Sequence, residues 1–503
     1  MKILFSIIAL ILISSCTCNP QPATYDLSDK PNILLILVDD LKPTLGCYGD
    51  SVAHSPNIDR LAEKGLIFTH AYCNQAVCMA SRYNLMLGAR STSTGLYRFG
   101  KEFRDVYPNA ITLPQYFKNS GYHVESMGKV FHIGHGNTND EASWSIPHHK
   151  EKVIEYLLPE SKEGPLTREE AFFQNSRKYL KGIPKNKELP RGAAWESPDV
   201  LDDAYADGRV ASHAIDRLRI LSKNPEQPFF MAVGFARPHL PFCVPEKYWN
   251  LYNPQELPMP EFENQPKDAP QCALKRKGEI TQFFPVPEEE SGIYEEQLKR
   301  KLIHGYYASM SYMDAQLGRV INELERLELD KNTIVVLWGD HGWHLGDHGT
   351  WTKHTNFEQA TRIPILFVAP KVTTPGTFSG QLAETVDIYP TLEELARLEK
   401  PKVPQPTDGV SLVPVLKNPD KRVRDHAYHA YPKQGYLGEA IRTQKYRMVR
   451  WTHTKDASRE VLYELYDYEN DPHEKQNHAY ENPEIVAELE AILNAHPKAK
   501  YEP

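Results

Sequence analysis

Three continuously apolar segments constrain the fold of this chain more than any other feature. They cover residues 33–38, about 229–235 and 333–338, among which Thr333 at the start of the third is the only polar residue. A strand that is apolar at every position must be buried on both faces, which is typical of the centre of a parallel sheet covered by helices. Segments typical of helices lie between these strands. The alternation predicts an α/β fold with a mainly parallel sheet.

Capping signals mark the predicted helices. In SPNIDRLAEKG we expect Asn57 to be the N-cap and Gly65 to end the helix. In ITLPQYFKNSG the helix can begin at Thr112. The segment YHVESMGKVFH then reads as a strand that leads to Lys129 and His132.

Each apolar segment ends in side chains that carry chemistry. These are Asp39 and Asp40, then Arg237 and His239, then Asp340 and His341. Sites in open α/β sheets lie beyond the carboxyl ends of the strands, so these residues predict a shared site. Adjacent carboxylates repel each other, and a divalent cation beside Asp39 and Asp40 would neutralise them. For the pair alone, solvated carboxylates or an Asp that caps the next helix remain open.

A small thiol stands at the head of another predicted helix. In CNQAVCMASRYNLMLGAR, Cys78 precedes Ser81 and Arg82, and Gly88 closes the segment as a helix stop would. A helix N-terminus has free N–H groups and a partial positive charge, which suit an anion or a nucleophile. On this stretch alone, a buried structural cysteine is the favoured interpretation.

Length and charge limit the remaining possibilities. A chain of 503 residues predicts one large domain and a smaller one, which we place at 31–424 and 425–503. Residues 148–195 and 253–292, rich in Pro, Lys and Glu, are expected to be insertions, where substrate recognition often lies. The net charge of −8 argues against binding to nucleic acid. An anionic substrate would therefore need a local cationic pocket.

The N-terminus is typical of export. Lys2 precedes ILFSIIALILI, which is too short to span a bilayer but suits a signal peptide at 1–16. The following ISSC resembles a bacterial lipoprotein box, so we expect a lipid anchor on Cys16 and a tether at 17–30; an ordinary secretory signal is the alternative. The predicted location is the periplasm or the outer membrane and cell surface, with membrane contact only through the anchor. The spacing of the seven cysteines predicts no disulfide framework.

Taken together, the motifs resemble those of the type I, formylglycine-dependent sulfatases, in the iduronate-2-sulfatase-like branch. The resemblance runs in order from near Pro31 to near Asn477 and is carried by NILLILVDDLKPTLGCYGD, SPNIDRLAEKGLIF, QAVCMASR, GKVFH, RPHLPF, GDHGWHLGDHGTWTKHTNFEQATRIPILF and LYDYENDPHEKQN. It implies an alkaline-phosphatase-like fold, with a large mainly parallel sheet sandwiched by helices and a smaller C-terminal α+β subdomain.

The resemblance also implies a chemistry. A separate maturation enzyme would oxidise Cys78 to formylglycine, which is hydrated to a geminal diol. One hydroxyl attacks sulfur, and deprotonation of the other expels sulfate and restores the aldehyde. One Ca²⁺ would be bound, and the implied ligands are Asp39, Asp40, the modified Cys78, Asp340 and His341.

Further roles follow from matching motif positions. Arg82 and Lys129 would hold the diol, and Lys353 the sulfate. His132 would take the proton that triggers sulfate expulsion. His239 would protonate the departing sugar oxygen, with Lys353 as the competing donor.

The implied function is hydrolysis of carbohydrate sulfate esters. The branch suggests an exo-acting 2-O-sulfatase on uronic acid or related units of a sulfated oligo- or polysaccharide, either a glycosaminoglycan or an algal polymer such as ulvan. Two rivals remain open: a phosphomonoester or phosphonate hydrolase of the same superfamily, and a catalytically silent glycan-binding lipoprotein. Ala80 and Leu87 depart from the family's commoner Pro and Thr, which leaves the maturation enzyme open.

Overall fold

The computed structural model describes residues 30–174, 188–275, 278–288, 292–400 and 402–501. The predicted signal peptide, Cys16 and all of the predicted tether except Lys30 lie outside the described residues. Within the described ranges, no helix is both long enough and apolar enough to cross a bilayer.

The strands of the described ranges are β1 Asn32–Val38, β2 Leu66–Tyr72, β3 His123–Gly128, β4 Trp195–Glu196, β5 Phe229–Phe235, β6 Phe242–Cys243, β7 Thr333–Gly339, β8 Ile365–Val368, β9 Thr377–Glu384, β10 Ala427–Lys433, β11 Tyr436–Arg442, β12 Tyr446–His453 and β13 Leu462–Asp467. The α-helices are α1 Pro56–Ala62, α2 Cys78–Leu87, α3 Ser91–Thr94, α4 Phe103–Val106, α5 Leu113–Asn119, α6 Arg168–Gln174, α7 Ala206–Leu221, α8 Glu246–Trp249, α9 Glu296–Arg326, α10 Glu358–Thr361, α11 Ile388–Leu395, α12 Val413–Lys417 and α13 Pro483–Ala495.

The three apolar segments form neighbouring strands of one large sheet. Its seven strands lie in the order β3-β5-β1-β7-β8-β2-β9. β1 pairs in parallel with β5 on one side and with β7 on the other. Only β8 runs against its neighbours in this sheet. The predicted fold class is confirmed, since the sheet is mainly parallel and its single reversed strand makes it mixed.

Alternate residues of β1 pack into different cores. Leu34, Ile36 and Val38 lie in a core that includes residues of α9, whereas Leu35 and Leu37 lie in the opposite core with residues of α2. All are fully buried. Burying a side chain of this size stabilises the fold by roughly 1.5–3 kcal/mol. Because the side chains of β1 point to both faces of the sheet, helices must cover both faces to bury all of them.

A second sheet follows in the C-terminal part of the chain. β10 to β13 form a four-stranded antiparallel sheet, and α13 packs on it through Val486, Leu489 and Leu493. Arg442 of β11 joins this sheet to the large one, because it pairs with Glu358 of α10, which also accepts a hydrogen bond from Tyr72 of β2. This agrees with the expected α+β subdomain; its boundary at residue 425 stays a prediction.

The first helix begins and ends at other residues than the sequence predicted. The first helix is preceded by Ser55 and begins at Pro56, so the prediction that Asn57 is the N-cap was wrong. Asn57 instead donates a side-chain hydrogen bond to Asp314 of α9. The helix ends at Ala62, and Gly65 follows in the turn, where the carbonyl oxygen of Phe367 leaves no room for a Cβ. By contrast, Thr112 is the N-cap of α5 as expected, because its side chain accepts a hydrogen bond from the backbone N–H of Gln115.

Candidate active site

The strand order brings the predicted residues to one edge of the sheet. Val38 is in register with Phe235 of β5 and with Gly339 of β7, so the three strands end at the same level. Asp39 and Asp340 follow directly and are completely buried. Lys129 follows β3, the next strand outward, and its backbone N–H donates to Gly234 of β5. All four strand ends therefore face one site.

Cys78 lies over this edge as the first residue of α2. Val77 before it is extended, and Gly88 closes the helix in the left-handed conformation that glycine adopts without strain. The Sγ atom lies 3.3 Å from Nε2 of His341. Burial raises the pKa of this thiol well above its usual value. A thiolate nucleophile needs a lowered pKa, so Cys78 is unsuited to attack as it stands.

Arg82, one turn further along α2, contacts residues at three of the strand ends. Its guanidinium is fully buried and donates to the Asp340 carboxylate through Nε at 3.0 Å. It also donates to the backbone carbonyls of Lys129 and Val130, and it lies 3.5 Å from an oxygen of Asp39. One buried cation thus joins the ends of β1, β3 and β7 around Cys78.

Two lysines pair with the adjacent carboxylates. Nζ of Lys129 donates to Asp39, and Nζ of Lys353 lies 3.0 Å from an oxygen of Asp40. Burial disfavours the charged amine of Lys353, but the carboxylate of Asp40 raises its pKa well above the usual value. The ammonium group of Lys353 is therefore held charged within a buried site.

His341 has the geometry of a metal ligand. Its Nδ1 donates to the carbonyl of Gly342 at 3.0 Å, which leaves the lone pair on Nε2 directed toward Cys78. Burial lowers the pKa of His341 to about 4, so the ring is neutral near pH 7, as a ligand must be. Ligand atoms of Asp39, Cys78, Asp340 and His341 all lie within 4.8 Å of one another.

The carboxylates of the site need a cation. Burial and the charge of Asp39 raise the pKa of Asp340 to about 7. Burial also raises the pKa of Asp40, although Lys353 opposes the shift. Among the described residues, Oδ1 of Asp39 accepts no hydrogen bond despite being buried. A hard divalent ion bound by oxygen ligands would satisfy this atom and keep all three carboxylates ionised, so the residues fit the predicted Ca²⁺.

The charge balance points the same way. Four carboxylates, those of Asp39, Asp40, Asp340 and Glu279, face three basic side chains, those of Arg82, Lys129 and Lys353. These ion-paired groups sum to −1, and Lys275, which lines the same cleft, brings the sum to 0, so the protein groups alone offer no net attraction to an anion. A divalent ion changes this sum to +2 and makes the site attractive to an anionic ester.

Two predicted histidines flank the centre. His132 is buried, and its Nδ1 has no hydrogen-bond partner among the described residues. Burial and the charge of Lys129 lower the pKa of His132 well below its usual value, so the ring is neutral and can accept a proton. His239 has Nδ1 2.5 Å from the carbonyl of Leu240 and Nε2 3.1 Å from Glu279. Because both partners are acceptors, this ring is placed to donate.

A cleft of about 230 Å³ opens above these groups. Cys78, His132, His239 and Lys353 line it, while Asp39, Asp40, Arg82, Lys129, Asp340 and His341 lie around and beneath Cys78. The structure thus brings all ten predicted site residues together; their individual roles stay predictions.

Sequence reasoning did not single out several other residues of the cleft. They are His135, Glu169, Phe173, Lys275, Glu279 and His354. Glu279 lies 2.6 Å from Lys353 and 3.1 Å from His239, so it contacts both. It comes from the insertion at 253–292, where no apolar strand marks a site. His135 and His354 lie beside predicted residues, and that proximity was the only available signal.

Arg237, which also follows β5, has a structural role. Its guanidinium donates to the backbone carbonyls of His239 and Cys243, and its backbone N–H donates to Asp207. It is buried and does not line the cleft. Arg237 therefore shapes the loop that carries His239.

Fold and site together define a class: an enzyme with a mainly parallel α/β sheet and a nucleophile position at a helix N-terminus, next to a sheet edge whose buried side chains could hold a metal ion. The model of the Sulfatase family matches residues 31–398, and that of the family "N-sulphoglucosamine sulphohydrolase, C-terminal" matches residues 346–499. The chain belongs to the sulfatase family and is a sulfuric ester hydrolase.

Curated relatives support this assignment over nearly the whole chain. Human iduronate 2-sulfatase is 32% identical, with 88% of this chain and 89% of that enzyme covered. The mouse enzyme is also 32% identical, with 84% and 85% covered. A sulfatase of Formosa agariphila is 31% identical, with 99% and 92% covered.

Solved structures with low sequence identity share the fold. A structure described as a 2-O GAG sulfatase is 22% identical with a TM-score of 0.67, and 94% of this chain and 95% of that chain are covered. The phosphonate monoester hydrolase of Agrobacterium radiobacter is 21% identical with a TM-score of 0.71, with 92% and 95% covered. Fold alone therefore does not separate sulfate from phosphonate chemistry.

Proposed function

We propose that this sulfatase is an exo-acting 2-O-sulfatase on terminal uronic acid, or a related sugar unit, of a sulfated polysaccharide. The identity with two iduronate 2-sulfatases over most of each chain supports the sugar and position. The observation that carries the exo mode is the cleft of about 230 Å³ with Cys78 at its base. Ligand pockets commonly enclose about 300–1,000 Å³, so this cleft suits one sugar ring and its sulfate.

The protein's own residues prepare the site for an anionic ester. When bound, a calcium ion held by Asp39, Asp40, Asp340, His341 and the modified Cys78 supplies positive charge against the sulfate oxygens. When formed, formylglycine at position 78 supplies a hydrated aldehyde, of which one hydroxyl attacks sulfur and the other later releases sulfate.

Basic side chains orient the reacting groups. Arg82 and Lys129 lie on the Asp39 side of Cys78, where they stabilise a deprotonated hydroxyl. Lys353 lies on the Asp40 side and lines the cleft, where it faces the incoming sulfate. These cations are already fixed by buried pairs, so little reorganisation is needed when charge develops.

The two histidines divide the proton transfers. His239 donates from Nε2 to the sugar oxygen as the S–O bond breaks, because this ring faces acceptors on both sides. His132 is neutral, and it removes the proton from the remaining hydroxyl so that sulfate can leave. Lys353 is the competing donor, since its Nζ lines the same cleft.

Cellular context completes the proposal. The signal-like segment and the box at Cys16 support an exported lipoprotein at the cell surface or in the periplasm, where glycosaminoglycan or algal polymer fragments are accessible. A separate maturation enzyme would act on Cys78 before folding buries it, because the folded thiol is only 2% exposed.

A substrate panel tests the function. Matured protein is assayed with oligosaccharides sulfated at defined positions, with aryl sulfate and with aryl phosphate, and mass spectrometry reports the state of residue 78. We expect sulfate release from terminal 2-O-sulfated uronic acid, formylglycine at position 78, and no release by C78A. Faster turnover of aryl phosphate than of any sulfate favours the phosphohydrolase alternative. A quantitatively free thiol in protein from the native host, with no turnover, favours the silent glycan-binding alternative.

A further inference from the structure

Lys275 is a cation of the cleft that the reaction does not use. It is half-buried and lines the cleft together with Cys78 and Lys353. Lys129 and Lys353 each pair with a carboxylate, but no carboxylate of the described residues lies within ion-pair distance of the Lys275 ammonium group. Glu279 is held by Lys353 and His239.

The one polar partner of the Lys275 ammonium group in the described part of the chain is a histidine. Nζ of Lys275 donates to Nδ1 of His354 at 3.0 Å. An ammonium group has no lone pair, so Nδ1 must accept and the ring proton of neutral His354 is on Nε2. Burial lowers the pKa of His354 well below its usual value, so the ring is neutral. A charged donor and a neutral donor thus lie side by side in the cleft.

A partly buried ammonium group without a counter-charge is unfavourable. Burial and repulsion from Lys353 lower the pKa of Lys275 to about 8, so it is still mostly charged near neutrality. An anionic group of the substrate would supply the missing counter-charge. The sulfate is already assigned to Lys353, and a second anion on the same sugar ring is the remaining source.

We propose that Lys275 and His354 form a subsite for the carboxylate of a sulfated uronic acid whose sulfate faces Lys353. His354 follows Lys353 directly in the chain, so the two anion contacts are one residue apart, a separation suited to two substituents of one ring. The inference rests on the proposed 2-O-sulfatase function and deepens it: the cleft selects uronic acid over the neutral hexose.

A matched pair of substrates tests this subsite. One is a disaccharide with a terminal 2-O-sulfated uronic acid, and the other is the same molecule with that carboxylate reduced to a primary alcohol. Sulfate release gives kcat/KM for each, and their ratio is compared among wild type, K275Q, K275R, H354N and K152Q. Lys152 is the control, since its side chain is 62% exposed and its Nζ lies 3.7 Å from Glu155.

For the wild type and K152Q, we expect kcat/KM to be roughly 10- to 100-fold higher on the uronic acid than on the reduced sugar, which is the factor that one hydrogen bond to a charged group typically contributes. K275Q should reduce the ratio to within about threefold, K275R should retain most of it, and H354N should be intermediate. Equal rates of the wild type on both substrates, or an unchanged ratio in K275Q and H354N, would overturn the subsite and leave the 2-O-sulfatase intact. Turnover of aryl sulfate but of neither disaccharide would overturn the proposed function and the subsite with it.

Discussion

Replacing Arg82 with alanine would test the charge balance on which the site depends. The Arg82 guanidinium is fully buried. Among the lysine and arginine side chains of the described residues, it is the only one that contacts both Asp39 and Asp340. It also satisfies the backbone carbonyls of Lys129 and Val130. In R82A, Asp340 loses its arginine partner, Asp39 keeps Lys129 and a contact of 4.0 Å with His239, and two carbonyls lose a donor.

The expected loss of stability is large. Removing one partner of a buried ion pair costs about 3–5 kcal/mol, because the other charge remains buried without compensation. R82K keeps a charge but cannot reach both carboxylates and the carbonyls, so we expect an intermediate loss. A bound Ca²⁺ also neutralises Asp39 and Asp340, so the loss for R82A should be greater in chelator than in excess Ca²⁺.

Urea denaturation followed by tryptophan fluorescence measures these differences, since Trp338 is buried in β7. R60A is the matched control: Arg60 pairs with Glu325 at 2.9 Å, but its side chain is 37% exposed. Such a pair contributes about 1 kcal/mol or less. If R82A unfolds within about 1 kcal/mol of R60A in chelator, Arg82 is not the counter-charge of Asp39 and Asp340.

Three further predictions concern the ion, the cleft and the second sheet. Chelation should abolish sulfate release and lower the unfolding temperature, and Ca²⁺ should restore both; full activity after chelation would contradict the need for a cation inferred from the buried carboxylates and from the unpartnered Oδ1 of Asp39. E279Q should lower KM for the sulfate ester, because the carboxylate that contacts Lys353 and His239 no longer competes with sulfate; a higher KM would refute this. Burial opposes ionisation of Glu358, but Arg442 lowers its pKa to about 2. The ionised Glu358 carboxylate therefore contributes about 3 kcal/mol to the free energy of unfolding above pH 4.5, and this contribution is lost as the pH falls toward 2. The pH dependence should be missing in E358Q and present in the exposed control E328Q.

Much of the fold followed from local pattern. β1, β5 and β7 were recognisable because a strand buried on both faces is mostly apolar along its length, and that property is visible in five to seven consecutive residues. The polar residues after each strand marked the site, because parallel strands present their carboxyl ends at one edge. The misplaced cap at Asn57 shows the limit of such reasoning: the side chain makes a distant contact with Asp314 instead of capping its own helix.

By itself, then, the sequence determined which segments are buried strands and which residues end them, since these depend on neighbours along the chain. The nucleophile position at Cys78 came from the resemblance to the sulfatases. Only the tertiary structure decided that Arg82 joins three strand ends, that Glu279 contacts Lys353 and His239, and that Lys275 stands in the cleft beside His354. Those contacts join residues tens to hundreds of positions apart. Their distances are set by strand register and by how the loops pack over the sheet edge, and no local periodicity encodes either.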